Sequence, residues 1–258
     1  MRNLGGFIML ALTSSLHACS IDHSFSPLPD SEQVTVSLKV PKNLIAKPVE
    51  VTYRSSVCTH IVRGGSGDTT VKGDYHRLDV NLRSDHGDNI YSVKLPVHGG
   101  GACQWRLSNV AFGIKYNDTT RFGGPIVYGA GGGIVVVFDG NRPQRSHGWW
   151  EKVQGDLYAV EDYYPVVSER YIGGYRKRIG LLGKKDIYRV FVAPQARSVY
   201  FEPVVHEDFI LHRTGPRIKK DGNYTTYKYP DGSVVSGVPS WPDFTKMQAI
   251  RLKAEGKK

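Results

Sequence analysis

Residues 103–116 read CQWRLSNVAFGIKY, and this stretch decides the fold. Apolar and polar side chains alternate along both ends of it, but the phase slips by one residue at Ser108–Asn109. Alternation with a period of two is typical of a β-strand with one buried face, and a one-residue slip indicates a β-bulge. The stretch therefore predicts a long, bulged strand in a sheet.

The same alternation recurs along much of the chain. Before this stretch it appears at residues 34–40, 49–53, 78–82 and 91–97. After it, β-rich segments follow at residues 157–164, 187–192, 199–205 and 224–229. Clusters of Gly, Asp and Pro separate the segments, and Asp243 can cap one helix near the end. We therefore predict a mainly β fold, an antiparallel β-sandwich-like arrangement with one short C-terminal helix.

The domain organisation follows from shifts in composition. Residues 140–148 are polar, and they form either a long loop or a boundary between two halves. The predicted parts are a signal peptide (1–18), a flexible tether (19–33), a β-sandwich-like domain or half (34–145) and a second β-rich half with the helix (146–258). The glycine cluster at 129–133 is followed by strand-forming residues, which predicts a hairpin or bulge rather than a nucleotide-binding loop.

The first residues read as an export signal. A single charge at Arg2 precedes a short apolar stretch, which is too short to span a bilayer. The segment Leu16-His17-Ala18-Cys19 resembles the lipobox of bacterial lipoproteins, which implies that Cys19 carries a lipid anchor. By the same resemblance, Ser20 implies transport to the outer membrane, facing the periplasm. The alternative is a plain signal peptide with an incidental cysteine.

Cysteine usage agrees with export. If Cys19 is acylated, Cys58 and Cys103 remain as a pair, and a pair in an exported protein usually oxidises. We therefore predict a disulfide between them. The alternative is a cysteine-based site, but the chain has no C-x-x-C motif.

The charge balance points to anionic partners. Lys and Arg number 34 against 24 Asp and Glu, for a formal net charge of +10. In an exported protein this favours acidic protein surfaces or anionic lipids over nucleic acid. The candidate partner-binding residues are the aromatic and basic side chains Trp149, Trp150, Tyr163, Tyr164, Arg176, Lys177 and Arg178. Their alternatives are a solvated basic face and aromatic side chains that fill the core.

No catalytic constellation emerges. His206, Glu207, Asp208 and His212 lie close in sequence, but their spacing matches no helical zinc motif. An acid–base pair of carboxylates requires a particular distance between the two groups, and the sequence does not give that distance. The carboxylates concerned are Glu161, Asp162, Glu169 and Glu202. We predict that the protein is not an enzyme and uses no cofactor or metal.

The lipobox, the paired cysteines and the C-terminal sequences YKYPDG (227–232) and WPDFTKM (241–247) together resemble enterobacterial lipoproteins that neutralise type VI secretion phospholipase effectors in the periplasm. The resemblance implies an immunity protein that occludes the active-site entrance of a lipase. The competing hypotheses are a structural or assembly lipoprotein of an envelope machine, and a periplasmic hydrolase.

Overall fold

The computed structural model describes residues 21–84, 89–123, 126–141, 150–184, 188–237 and 241–257. In chain order the strands are β1 (Gln33–Lys39), β2 (Leu44–Ala46), β3 (Val49–Arg63), β4 (Thr69–Val80), β5 (Arg83–Ser84), β6 (Ile90–Pro96), β7 (His98–Gly100), β8 (Trp105–Tyr116), β9 (Val127–Gly131), β10 (Gly133–Val137), β11 (Glu151–Lys152), β12 (Leu157–Arg170), β13 (Arg176–Leu182), β14 (Tyr188–Val192), β15 (Ser198–Val205), β16 (Leu211–Thr214), β17 (Thr226–Lys228) and β18 (Val234–Ser236). A 3-10 turn covers Thr120–Phe122, and the helix α1 covers Phe244–Ala254. Within the described ranges, no helix has the length and apolar character needed to cross a membrane.

These strands form two sheets. The first has the spatial order β18–β17–β16–β12–β15–β1–β6–β5, and β13 and β9 extend it beside β12. The second has the order β11–β14–β10–β8–β3–β4, and β2 and β7 pair with β8. Both are mixed sheets: in the first, β1 pairs parallel with β15 and antiparallel with β6, and in the second, β10 pairs parallel with β14 and antiparallel with β8. The mainly β fold with one C-terminal helix is confirmed, and the parallel pairs are its departure from a purely antiparallel sandwich.

Both sheets contain strands from each of the two predicted halves of the chain. β1 lies between β6 and β15, and β10 lies between β8 and β14. Hairpin neighbours must be antiparallel, whereas a strand that returns from a distant part of the chain can run in either direction. The parallel pairs therefore arise where distant segments meet. The described parts of residues 34–145 and 146–258 therefore contribute strands to the same two sheets, which we call the framework.

The two sheets pack their inner faces into a common core. Phe112 of β8 and Phe201 of β15 meet edge to face across the sheets, with ring centroids 5.9 Å apart. Val36, Val51 and Ile134 are buried in the same cluster. Along β1, alternate side chains enter this core, as expected of a strand with one buried face.

The bulge predicted in β8 is confirmed. Thr52 pairs with Asn109, but the next residue, Tyr53, pairs with Leu107. Ser108 is therefore the extra residue on β8, and it lets the strand keep its apolar side chains in the core on both sides of the slip.

The glycine cluster forms a corner between the sheets and not a hairpin, whereas the alternative prediction of a bulge is confirmed by the register shift between β9 and β13. β9 pairs with β13 in the first sheet, whereas β10 pairs with β8 and β14 in the second. Gly131 has φ +98°, and a Cβ at this position would lie 1.9 Å from the carbonyl oxygen of Leu181. Only glycine fits such a close approach, which allows the chain to cross from one sheet to the other.

The C-terminal helix packs on the outer face of the first sheet. The Asp243 carboxylate accepts a hydrogen bond from the Lys246 backbone N–H at 3.1 Å, which confirms the predicted cap. Met247 of α1 is buried against Tyr164 and Leu211 in a second, smaller core.

Candidate functional site

β3 and β4 continue beyond the sheet as a two-stranded arm, which we define as residues 55–75. β3 pairs with β8 from Glu50 to Arg54, whereas from Thr59 to Arg63 its described pairing is with β4. An irregularity in register between Arg54 and Thr59 marks the root of the arm. The arm therefore projects from the body at the edge of the second sheet.

The arm exposes an aliphatic pair. Ile61 lies directly opposite Val71, so the two side chains share one face of the ribbon. Their exposed fractions are 68% and 66%. Apolar side chains grouped on a projecting strand pair are a surface that partners cover, and they favour aggregation when left uncovered.

A disulfide braces the root of the arm. Cys58 on β3 is bonded to Cys103, which lies just before β8, so the predicted pairing is confirmed. The Ser55 hydroxyl donates a hydrogen bond to the Cys103 carbonyl oxygen and accepts one from the Cys58 backbone N–H. A two-stranded hairpin is marginally stable by itself in water, and the cross-link ties this one to the sheet.

Backbone contacts of the N-terminal segment add a second brace. The Ser26 N–H donates to the Gly99 carbonyl oxygen at 2.9 Å, and the Trp105 indole N–H donates to the Ser24 carbonyl oxygen at 3.2 Å. Residues 22–26, which we call the N-terminal segment, therefore lie against the body. In this part, the region predicted as a flexible tether is docked.

Side chains of the same segment reach the arm. The Phe25 ring lies 4.7 Å from the Tyr53 ring and stacks on His76 at 5.5 Å. Farther toward the N-terminus, the His23 Nδ1 atom lies 3.4 Å from an Asp74 carboxylate oxygen. The N-terminal segment thus lies beside β4 at the root of the arm, where the Asp22 carbonyl oxygen is 3.7 Å from Cys103 Sγ.

The opposite end of the molecule is basic. β8 starts near the root of the arm, with Arg106 opposite Arg54, and ends at Tyr116, roughly 35 Å away at about 3.3 Å per residue. The Phe122 ring contacts Tyr116, and the Lys177 ammonium donates to the Phe122 carbonyl oxygen at 2.8 Å. The β12–β13 connection around Lys177 therefore lies at the far pole from the arm.

Arginines share the outer sheet face at this pole. Arg176 lies opposite Arg170, and Arg178 lies opposite Ser168. From β16, the Arg213 guanidinium donates to the Ser168 hydroxyl at 3.1 Å. We call Arg170, Arg176, Arg178 and Arg213 the arginine face. Among the described residues, no carboxylate forms an ion pair with any of them.

The other candidate partner-binding residues are not on this face. Tyr163 and Tyr164 are buried, and burial raises the pKa of both phenols, so their prediction as partner contacts is wrong. Tyr163 fills the main core, and Tyr164 fills the smaller core under α1. Trp150 is 37% exposed and precedes β11 in the second sheet. Trp149 and Cys19 lie outside the described residues.

The histidines and carboxylates of residues 206–212 do not converge on one site, because each has a different partner. His206 Nε2 lies 2.6 Å from an Asp162 carboxylate oxygen, and Glu207 accepts a hydrogen bond from Arg121 at 2.8 Å. His212 lies on β16, opposite Lys228 of β17. In the described ranges, the one group with donor atoms at metal-binding distances is His23 with the two bridged cysteines, whose sulfurs are held in the disulfide.

A cavity of about 460 Å³ lies between β12 and α1. Glu161 at its wall is paired with Arg189, and Asp162 accepts hydrogen bonds from His206 and Gln248. Both carboxylates are thus held by donors that fasten α1 and β14 to β12. The arrangement is that of a structural polar network.

Sequence reasoning missed the residues that the structure makes most prominent. Ile61 and Val71 occupy the apolar positions of an ordinary strand pattern, and Arg170 and Arg213 lie outside the basic runs. Only the strand pairing shows that the first two are uncovered and that the arginines meet. Comparison of the chain with protein-family models, with curated proteins and with solved structures finds no match.

Proposed function

We propose that this chain is an outer-membrane lipoprotein, anchored at Cys19 and facing the periplasm, that neutralises a secreted phospholipase-type effector by steric occlusion. The observation that carries the proposal is the braced arm with its exposed pair, Ile61 and Val71. The lipobox and the C-terminal sequences support the assignment to an anchored immunity protein.

The shape of the arm suits occlusion. A two-stranded ribbon is narrow, because paired strands lie about 4.8 Å apart. A lipase must admit acyl chains, so its active-site entrance is apolar, and an aliphatic pair on a narrow ribbon is complementary to such an opening. The disulfide at Cys58 and the docked N-terminal segment hold the arm in place before binding, which reduces the entropy lost on association.

The test uses cells in which the product of the neighbouring gene is delivered to the periplasm, after a lipase assay has determined whether that product is a phospholipase. We expect the anchored chain to protect them and the double variant Ile61→Asp/Val71→Asp to fail. The matched control is Val127→Asp/Val234→Asp, since these valines are 68% and 59% exposed on strands outside the arm. Protection by the arm variant, or loss of protection in both variants, would refute occlusion by the arm. No protection by the unmodified chain would refute the immunity function itself.

A second candidate function is favoured by the arginine face. Arg176 and Arg178 present positive charge on a sheet surface, which fits docking onto an acidic subunit of an envelope or secretion machine. For such an assembly lipoprotein, Arg176→Ser/Arg178→Ser should abolish complementation of a deletion strain, and the arm variant should complement normally.

A further inference from the structure

The path of the N-terminal segment fixes which side of the arm lies near the anchor. Ser26 contacts Gly99 at the edge of the body, Phe25 lies on His76 at the root, and His23 reaches Asp74 on the arm. One residue farther toward the N-terminus, the Asp22 carbonyl oxygen lies 3.7 Å from Cys103 Sγ, so the segment runs along the root of the arm on the side of Asp74.

The segment also stays on one face of β4. Alternate residues of a strand point to the same side, so Lys72 shares the face of Asp74 and His76. Val71 points to the opposite side, with Ile61 across from it. The N-terminal segment and the aliphatic pair therefore occupy opposite faces of the ribbon.

The chain left for an anchor is short. Cys19 is two positions before Ile21, and a residue spans at most about 3.6 Å. Acyl chains at Cys19 thus hold Ile21 within roughly 7 Å of their point of attachment. A membrane on the Val71 side would require this short stretch to pass around the ribbon.

We infer that the face of the arm carrying Lys72 and the N-terminal segment rests on the bilayer that holds the anchor, and that the Ile61–Val71 face is turned away from it. This inference rests on the proposed lipidation of Cys19. Ile21, which is 54% exposed, and the exposed Lys72 then meet the interface, where an apolar side chain and an ammonium group suit acyl chains and lipid phosphates. The outward face places the aliphatic pair where a lipase approaches the membrane, and the arginine face lies at the distal pole.

The experiment uses the lipidated full-length mature protein in vesicles of phosphatidylethanolamine and phosphatidylglycerol with brominated acyl chains, which quench tryptophan fluorescence at short range. Lys72→Trp and Val71→Trp place the probe on opposite faces of one strand, and Val127→Trp places it at the distal pole, opposite Arg178. The measured signal is the increase in tryptophan quenching of each variant relative to the parent chain. We expect it to be several-fold greater for Lys72→Trp than for the other two variants.

A second measurement needs no change in the arm. Trypsin should cut after the exposed Arg63 several-fold more slowly in vesicles than in soluble Cys19→Ala protein, whereas cutting after Lys219, in an exposed distal loop, should be unchanged. Equal quenching at residues 72 and 127, stronger quenching at residue 71 than at residue 72, or unchanged cleavage after Arg63 would overturn the orientation. A mass spectrum showing unmodified Cys19 would refute the anchor and the orientation together, whereas an acylated protein that fails the quenching test would refute only the orientation.

Discussion

The two poles of this molecule both expose groups that destabilise a free protein, but they are built differently. The arm presents Ile61 and Val71 to solvent and is held by a disulfide and by ring contacts of Phe25. The distal pole presents Arg170 opposite Arg176 on a continuous sheet that has no such fastening in the described chain. An apolar surface on a thin ribbon must be braced, whereas a charged surface can rely on the sheet beneath it.

Removal of the disulfide should cause the largest difference in local stability between the two poles. In the loop-entropy model a bridge that closes a separation of 45 residues stabilises the folded state by about 4 kcal/mol, so Cys58→Ser/Cys103→Ser should lower the free energy of unfolding by about that amount. Urea titration measures the change, and amide exchange should rise more in residues 55–75 than in β12 and β13. Reductant should lower the stability of the parent and leave the double variant unchanged. Equal loosening at both poles would contradict a local brace.

A substitution in the arginine face should raise the free energy of unfolding, whereas removal of the disulfide lowers it. Like charges on directly opposed residues repel, so Arg176→Ser should raise the free energy of unfolding by about half a kcal/mol at low salt. The control is Arg63→Ser at the arm, where the opposed residue is Thr69 and no like charge is relieved. Thermal unfolding at low and high salt measures both. A lower stability for Arg176→Ser would mean that its charge is compensated in the free protein.

The smallest expected effect concerns acid stability at the distal pole. Burial, then Lys228 and Lys177, lower the pKa of His212, while Glu169 opposes them. The unfolded chain therefore binds a proton more readily than the folded one, so the free energy of unfolding should fall as pH drops below the usual histidine pKa of about 6.5. His212→Gln should lose less stability between pH 7.5 and pH 5.5 than the parent, as measured by urea midpoints. An exposed arm residue that does not titrate provides the control, and Thr59→Ser should follow the parent.

Local features were predictable because local chemistry sets them. The slip at Ser108 shows in the alternation of apolar residues, Asp243 is a strong helix-capping type, and Cys58 and Cys103 are the two cysteines that remain once Cys19 is assigned to the lipobox. The bulge and the helix cap depend on a short window of sequence, and the disulfide depends on the number of cysteines.

Features that depend on what lies alongside a strand were not predictable. Tyr163 and Tyr164 are consecutive and both buried, because the main core covers one face of β12 and α1 covers the other. A period of two cannot show that both faces are covered. In the same way, the pattern around Ile61 does not reveal that the neighbouring strand β8 ends before it.

The position of β1 determines how late in synthesis the fold can be completed. This strand is completed on one side by residues 198–201, which leave the ribosome long after it. The framework therefore cannot close until more than three quarters of the chain has been synthesised. Pairings between such distant residues slow folding, so newly made molecules should spend time as open intermediates that are prone to aggregation.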